Sequence, residues 1–236
     1  MHRKTGFTLI ELLVVIGIMG VWFSLILPAV ASIKEKCRSA LCQSNLHQVG
    51  VAFQLYLQDY NDVYPCTGNL LLWNGRYWRW PIKPYISLGT DPAGGNPLVA
   101  DRKDDTALRC PSDLTAVNYD GTSYAYSMAF YFSPEQINAM DTFSVTITPP
   151  GPPCTAQRDA LVAFPAHKAL VTEWVSNHEA PHLGWYDPNT AWKGGRNYQF
   201  ADGHGQYLKS DQIHPANDKL PDINLTRDGI RGKDRD

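Results

Sequence analysis

The chain lacks any marked charge imbalance. Its 21 Lys and Arg stand against 23 Asp and Glu, for a net charge of −2 over 236 residues. Nucleic-acid partners usually demand a basic face, so no such partner is expected. Five cysteines are present, Cys37, Cys42, Cys66, Cys110 and Cys154, and none forms a Cys-x-x-Cys pair. The signature of a zinc knuckle or a thioredoxin-type redox site is therefore missing. No Ser-His-Asp or Cys-His arrangement, no paired carboxylates and no glycine-rich phosphate loop stands out, so the chain is not expected to be an enzyme. Internal repeats are lacking too. At this length the chain holds one good-sized domain plus an appendage, or two small domains.

Charge is also scarce in one particular place. From Phe7 to Ala31 the only charged residue is Glu11. About 20 apolar residues in a helix span the hydrocarbon core of a bilayer. Arg3 and Lys4 precede the run, and positive flanks stay on the cytoplasmic side. Three readings compete: a plain signal anchor, a secretory signal peptide cut after Ala29-Val30-Ala31, and a short basic leader ending at Gly6. The apolar run exceeds the roughly 7–15 residues of a signal-peptide core. Glu11 decides between the remaining two. Intramembrane carboxylates are expensive and tend to have a partner and a job. A cut after Gly6 creates a positive amine at Phe7, four residues from Glu11, and that amine is a natural partner in the same chain or a neighbouring one.

The string Gly6-Phe7-Thr8-Leu9-Ile10-Glu11 and the apolar residues after it resemble the type IV prepilin cleavage and methylation motif, and Pro28 falls where such subunits carry a helix-kinking proline. The resemblance implies cleavage between Gly6 and Phe7 by a prepilin peptidase, methylation of the Phe7 amine, and assembly through Phe7 and Glu11. Beyond Pro28, Cys42, Leu46, Val49, Phe53, Tyr56, Leu57 and Tyr60 recur at steps of three or four, which marks one apolar helix face. The expected helix runs over 7–62, with 7–31 as membrane span or filament core, and Asn61-Asp62 and Pro65 end it. Lys34, Glu35, Lys36 and Arg38 read as a solvated turn just past the membrane.

The segment from Ser39 to Pro65, then Arg109-Cys110-Pro111-Ser112-Asp113, and Asn197 through His204, resemble a large subfamily of bacterial pilin-like proteins. That subfamily is named for a His separated by nine residues from an Asp-Gly pair. Here the pair is Asp202-Gly203 and the matching position holds Trp192. The resemblance implies a disulfide between Cys42 and Cys110, and Cys66 with Cys154 is then expected as a second pair that leaves Cys37 free.

Without the family the region 63–209 still reads as a β-rich head. Ser123–Phe132, Thr142–Thr148, Ala169–Trp174, Tyr198–Ala201 and His204–Leu208 are rich in aromatic and β-branched residues. Asp202-Gly203 suits a hairpin turn with positive φ. Residues 210–236 are polar and without period, and are expected to wrap loosely or be disordered. The fold class is thus α+β and pilin-like: a leader at 1–6, a long N-terminal helix, a β-rich head and a polar tail.

Two patterns invite chemistry and do not hold up. His178-Glu179-Ala180-Pro181-His182 matches the zinc-protease string, but that chemistry needs both His on one helix face, and Pro181 opposes the helix. Asp187, Asn189 and Asp202 are scattered candidates for a calcium ion, which wants six to eight oxygens; a hairpin turn is the better account of Asp202-Gly203, and no metal or other cofactor is expected. Trp73, Tyr77, Trp78 and Trp80 either cover the helix and fill the core or form a sugar-stacking platform, and the first is favoured. The expected partners are further copies of the chain in a filament, a prepilin peptidase, the inner-membrane assembly machinery and the membrane. The expected location is the cytoplasmic membrane with the head outside, then a periplasmic or extracellular filament. The alternatives are a membrane-tethered binding module for polysaccharide or protein, and a secreted enzyme cut after Ala31.

Overall fold

A computed structural model describes residues 8–66, 78–86, 106–113, 122–140, 153–179 and 193–236. The chain folds as two units, Met1–Cys37 and Arg38–Asp236. Helix α1, Leu9–Asp59, contributes to both and runs unbroken through Pro28. Its end follows from two residues that tolerate the left-handed region: Asn61 has φ 55° and Asp62 φ 57°. The Asp62 N–H then donates to the Leu57 carbonyl at 2.9 Å, a Schellman-type closure of the last turn.

Within the first unit the apolar side chains are uncovered. Leu9, Ile10, Trp22, Leu25 and Leu27 are all more than 60% exposed. This is the one helix among the described residues that is long and apolar enough to cross a membrane.

In the second unit four strands form an antiparallel sheet in the order β1-β2-β3-β4: Tyr124–Tyr126, Ala169–Glu173, Gly195–Phe200 and Gly205–Lys209. Side chains alternate faces along a strand, and β3 shows what each face meets. Asn197 and Gln199 point toward α1: Asn197 Nδ2 donates to Ser39 Oγ at 3.4 Å, and Gly50 lets the helix come so close that an added Cβ would lie 2.7 Å from Gln199 Nε2. The expected apolar face of α1 is the buried one, with Cys42, Leu46, Val49, Phe53, Tyr56 and Leu57 in the core. Tyr60 is the exception; it is half exposed and stacks on Tyr56 at 4.1 Å. Phe53 in turn stacks on Trp78 at 5.8 Å. Trp78 is fully buried, so this ring fills the core; Trp73 and Tyr77 lie outside the described residues.

The strands expected at Ala169–Trp174, Tyr198–Ala201 and His204–Leu208 are present within a residue or a few. Ser123–Phe132 yields only the three-residue β1, after which Met128–Phe130 turns into a 3-10 helix capped by the Ser127 hydroxyl. Thr142–Thr148 lies outside the described residues. The β3–β4 hairpin closes over Ala201-Asp202-Gly203, with Gly203 at φ 93° and Phe200 N–H donating to the His204 carbonyl at 2.9 Å. Glycine suits this position because it meets no Cβ penalty there.

The tail corrects the expectation of looseness. Tyr198, Phe200 and Leu208, on the sheet face away from α1, form a second apolar cluster with Ala169, Ile213 and Ile223. Ile213 and Ile223 of the tail therefore cover the other side of the sheet, while Leu225 and Ile230 join the main core. Asp234 fastens the tail. It accepts from Lys168 Nζ at 3.0 Å and from the Ala169 backbone N–H at 2.6 Å, and it pairs with the Thr226 hydroxyl. Lys168 and Asp234 side chains are both fully buried.

Nearby Asp222 is also buried, and burial followed by repulsion from Asp218 pushes its carboxyl from 3.8 up to about 7. The folded chain then holds this proton more tightly than the unfolded chain between those two values, so the contribution to stability is greatest below them and is lost as pH rises through about 7. Unfolding midpoints at pH 5 and pH 8 are expected to differ in favour of pH 5 through this group. Asp222→Asn should shrink that difference by raising the midpoint at pH 8; an unchanged pH profile would sink the assignment.

Candidate functional site

Thr8 is the first described residue of the N-terminal motif, and Gly6 and Phe7 lie outside the described residues. Thr8 stands at the N-cap of α1 and Glu11 at the third helical position. The Thr8 N–H donates to Glu11 Oε2 at 2.8 Å, the Glu11 N–H to Thr8 Oγ1 at 3.3 Å, and the Thr8 hydroxyl to Glu11 Oε2 at 2.7 Å. This is a capping box, in which two otherwise orphaned helix N–H groups are satisfied reciprocally. Sequence reasoning saw Glu11 as a charge in need of an amine and missed this second role, although Thr-x-x-Glu ahead of an apolar run is its signal. The carboxylate also sits at the positive end of the helix dipole. The residues from Thr8 to Glu11 thus do two things here: they start the helix and place a lone carboxylate at the head of an apolar run.

The second group of expected site residues is in the head. Cys42 on α1 and Cys110 are joined in a disulfide, with Cα atoms 4.8 Å apart and a sequence separation of 68. On a chain-entropy account a loop of that size stabilises by ~4 kcal/mol. Asn45 Nδ2 reinforces the junction by donating to the Arg109 carbonyl at 2.9 Å. The expected second bridge is not formed. Cys66 and Cys154 are separate, half-buried thiols. They lie side by side, and the hydrogen bond between them, followed by burial, pushes the Cys154 thiol well above its ordinary range. Cys37 is an exposed free thiol.

His178 and Glu179, the described part of the zinc-protease string, lie in a bend and not on a helix. Glu179 accepts from the Tyr207 hydroxyl at 2.9 Å. Asp187 and Asn189 lie outside the described residues, and Asp202 is taken up by His204 Nδ1 at 2.6 Å.

The Prokaryotic N-terminal methylation motif matches residues 1–27. Over 67 residues the chain is 42% identical to the type II secretion system core protein G of Klebsiella pneumoniae, covering 28% of this chain and 47% of that protein. The protein of the same name from Vibrio cholerae is 36% identical over 67 residues, again 28% of this chain and 45% of the relative. That of Aeromonas hydrophila is 38% identical over 66 residues, or 28% and 46%. The chain thus spans a little under half the length of the curated relatives it matches. No solved structure matches it.

Proposed function

From a chain that is pilin-like in its N-terminal motif and in its α+β build, we propose a structural subunit of a secretion-type pseudopilus or related pilus filament. Its work is assembly, not catalysis. A prepilin peptidase cuts between Gly6 and Phe7 and the new amine is methylated. The subunit waits in the cytoplasmic membrane with its head outside, and the assembly machinery moves it into a filament whose core is a bundle of N-terminal helices. The observation that carries this reading is an apolar stretch of α1 with no buried side chain, opening on a single carboxylate at Glu11. Such a surface needs either lipid or other copies of itself to cover it. The three relatives named above favour the secretion form over a pilus.

The decisive measurement is the N-terminus of the mature chain. Mass spectrometry of protein purified from a cell with a prepilin peptidase is expected to find a methylated Phe7 as the first residue. A chain that keeps its first six residues, or one that begins at Ser32, would overturn the proposal.

A further inference from the structure

The disulfide is not alone in the core. His178 Nε2 lies 3.5 Å from Cys110 Sγ and 2.9 Å from Glu173 Oε1. The donor atoms of Cys42, Cys110, Glu173 and His178 all fall within 4.8 Å of one another. The His178 and Glu173 side chains are only 4% and 0% exposed, and the two cysteines are as deeply buried. A carboxylate and an imidazole in such a place are costly unless each has a fixed partner, and each does. The Asn197 backbone N–H donates to Glu173 Oε2 at 2.8 Å, which leaves Oε1 aimed at His178. Cys110 is held by its own N–H, which donates to Ser123 Oγ at 2.9 Å.

We propose that these four residues form a binding site for a zinc-class divalent cation when the Cys42–Cys110 bond is reduced, so that disulfide and ion are alternative staples for one junction. Two thiolates, one imidazole and one carboxylate are a donor set that zinc takes in tetrahedral geometry, with bonds of about 2.0–2.3 Å. Those bonds place ligand atoms roughly 3.3–3.8 Å apart; His178 Nε2 is already 3.5 Å from Cys110 Sγ, and the four donors need only small shifts from within 4.8 Å of one another. Four protein ligands close the site, so the ion is structural. The two states exclude each other because thiolates, not disulfide sulfurs, are the metal's ligands.

The interconversion balances simply. A dithiol reductant gives two electrons and two protons to the disulfide, becomes a disulfide itself, and leaves Cys42 and Cys110 as thiols. The incoming cation displaces those two protons, and a neutral His178 carries its remaining proton on Nδ1 while Nε2 binds. None of this depends on whether the chain enters a filament.

The test uses the full chain in detergent, reduced under anaerobic conditions with zinc present and then exchanged into cobalt(II). The reduced protein is expected to bind one cobalt per chain with thiolate charge-transfer absorption and the visible bands of a tetrahedral site. The oxidised protein is expected to show neither. His178→Ala should still form the Cys42–Cys110 bond on oxidation, yet lose at least ~10-fold in cobalt affinity when reduced, the lower limit for losing even an outer-shell partner. Because Cys37, Cys66 and Cys154 are also thiols, the His178-dependent part of the signal is the one that counts. An absent tetrahedral spectrum, equal binding by His178→Ala, or unfolding of the reduced chain despite zinc would each overturn the proposal.

Discussion

Asp234→Ala is expected to destabilise the head by about 3–5 kcal/mol, the range seen when one partner of a buried ion pair is removed. The size comes from what is left behind. Lys168 is fully buried, and its ammonium has Asp234 Oδ1 at 3.0 Å. The Ala169 N–H and the Thr226 hydroxyl lose their acceptor in the same step. Burial already pushes Lys168 below its usual range even with Asp234 in place, so the variant can shed part of the penalty by deprotonating the amine. That relief should make the loss smaller at high pH than at neutral pH. Denaturant unfolding of the full chain in detergent gives the number, and limited proteolysis gives its location. Because the tail covers Tyr198, Phe200 and Leu208, cleavage within 210–236 should appear before cleavage elsewhere in the head. A loss under ~1 kcal/mol would mean the pair is only as useful as a surface salt bridge, and the tail would have to be held by its apolar residues alone.

That tail is also where local sequence signals run out. The helix was legible because its signals are local: an apolar run, a face repeating every three or four residues, and Asn61-Asp62 as a stop. The β3–β4 hairpin was legible for the same reason, since Asp202-Gly203 suits a tight turn. The tail has no period because it is built of turns, and Ile213, Ile223, Leu225 and Ile230 reach the interior one at a time. Its polar residues looked like solvated ones, yet Asp222, Asn224 and Asp234 are all buried. Asn224 and Asp234 bond to groups far away in the chain; Asn224 Oδ1, for example, accepts from the Met128 N–H at 3.2 Å. Long-range pairing of that kind leaves no mark on neighbouring residues.

The surroundings of the disulfide show the same limit. Cys42 and Cys110 were placed together by resemblance, and the structure bears that out. In the sequence His178 stands out for another pattern, the string it forms with Glu179 and His182. Its carboxylate partner is Glu173, at the end of β2, where a charge in a fully buried strand was the available clue. The second bridge expected between Cys66 and Cys154 is absent, and there the structure has two neighbouring thiols instead.

At the N-terminus, Glu11→Ala is expected to leave cleavage after Gly6 intact and to take filament yield from the wild-type level to near zero. The capping box makes this variant ambiguous by itself, because alanine removes both a charge and the acceptor for the Thr8 N–H. Glu11→Gln separates the two. Glutamine serves the capping box as well as glutamate does, so helix initiation at Thr8 and Leu9 should survive. What glutamine cannot do is neutralise the amine that the proposed cleavage would uncover at Phe7. In a helical bundle that excludes both lipid headgroups and water, an unpaired ammonium is the costly species. The glutamine variant should therefore fail in assembly as the alanine variant does, while its mature N-terminus, measured by mass spectrometry, matches wild type. If Glu11→Gln builds filaments at the normal yield, Glu11 acts by starting the helix and not by pairing with the neighbouring amine. The order of the two roles follows from exposure: Thr8 engages Glu11 within one chain, and only packing against a second chain brings the dry surroundings in which a full opposite charge outweighs a hydrogen bond to a hydroxyl.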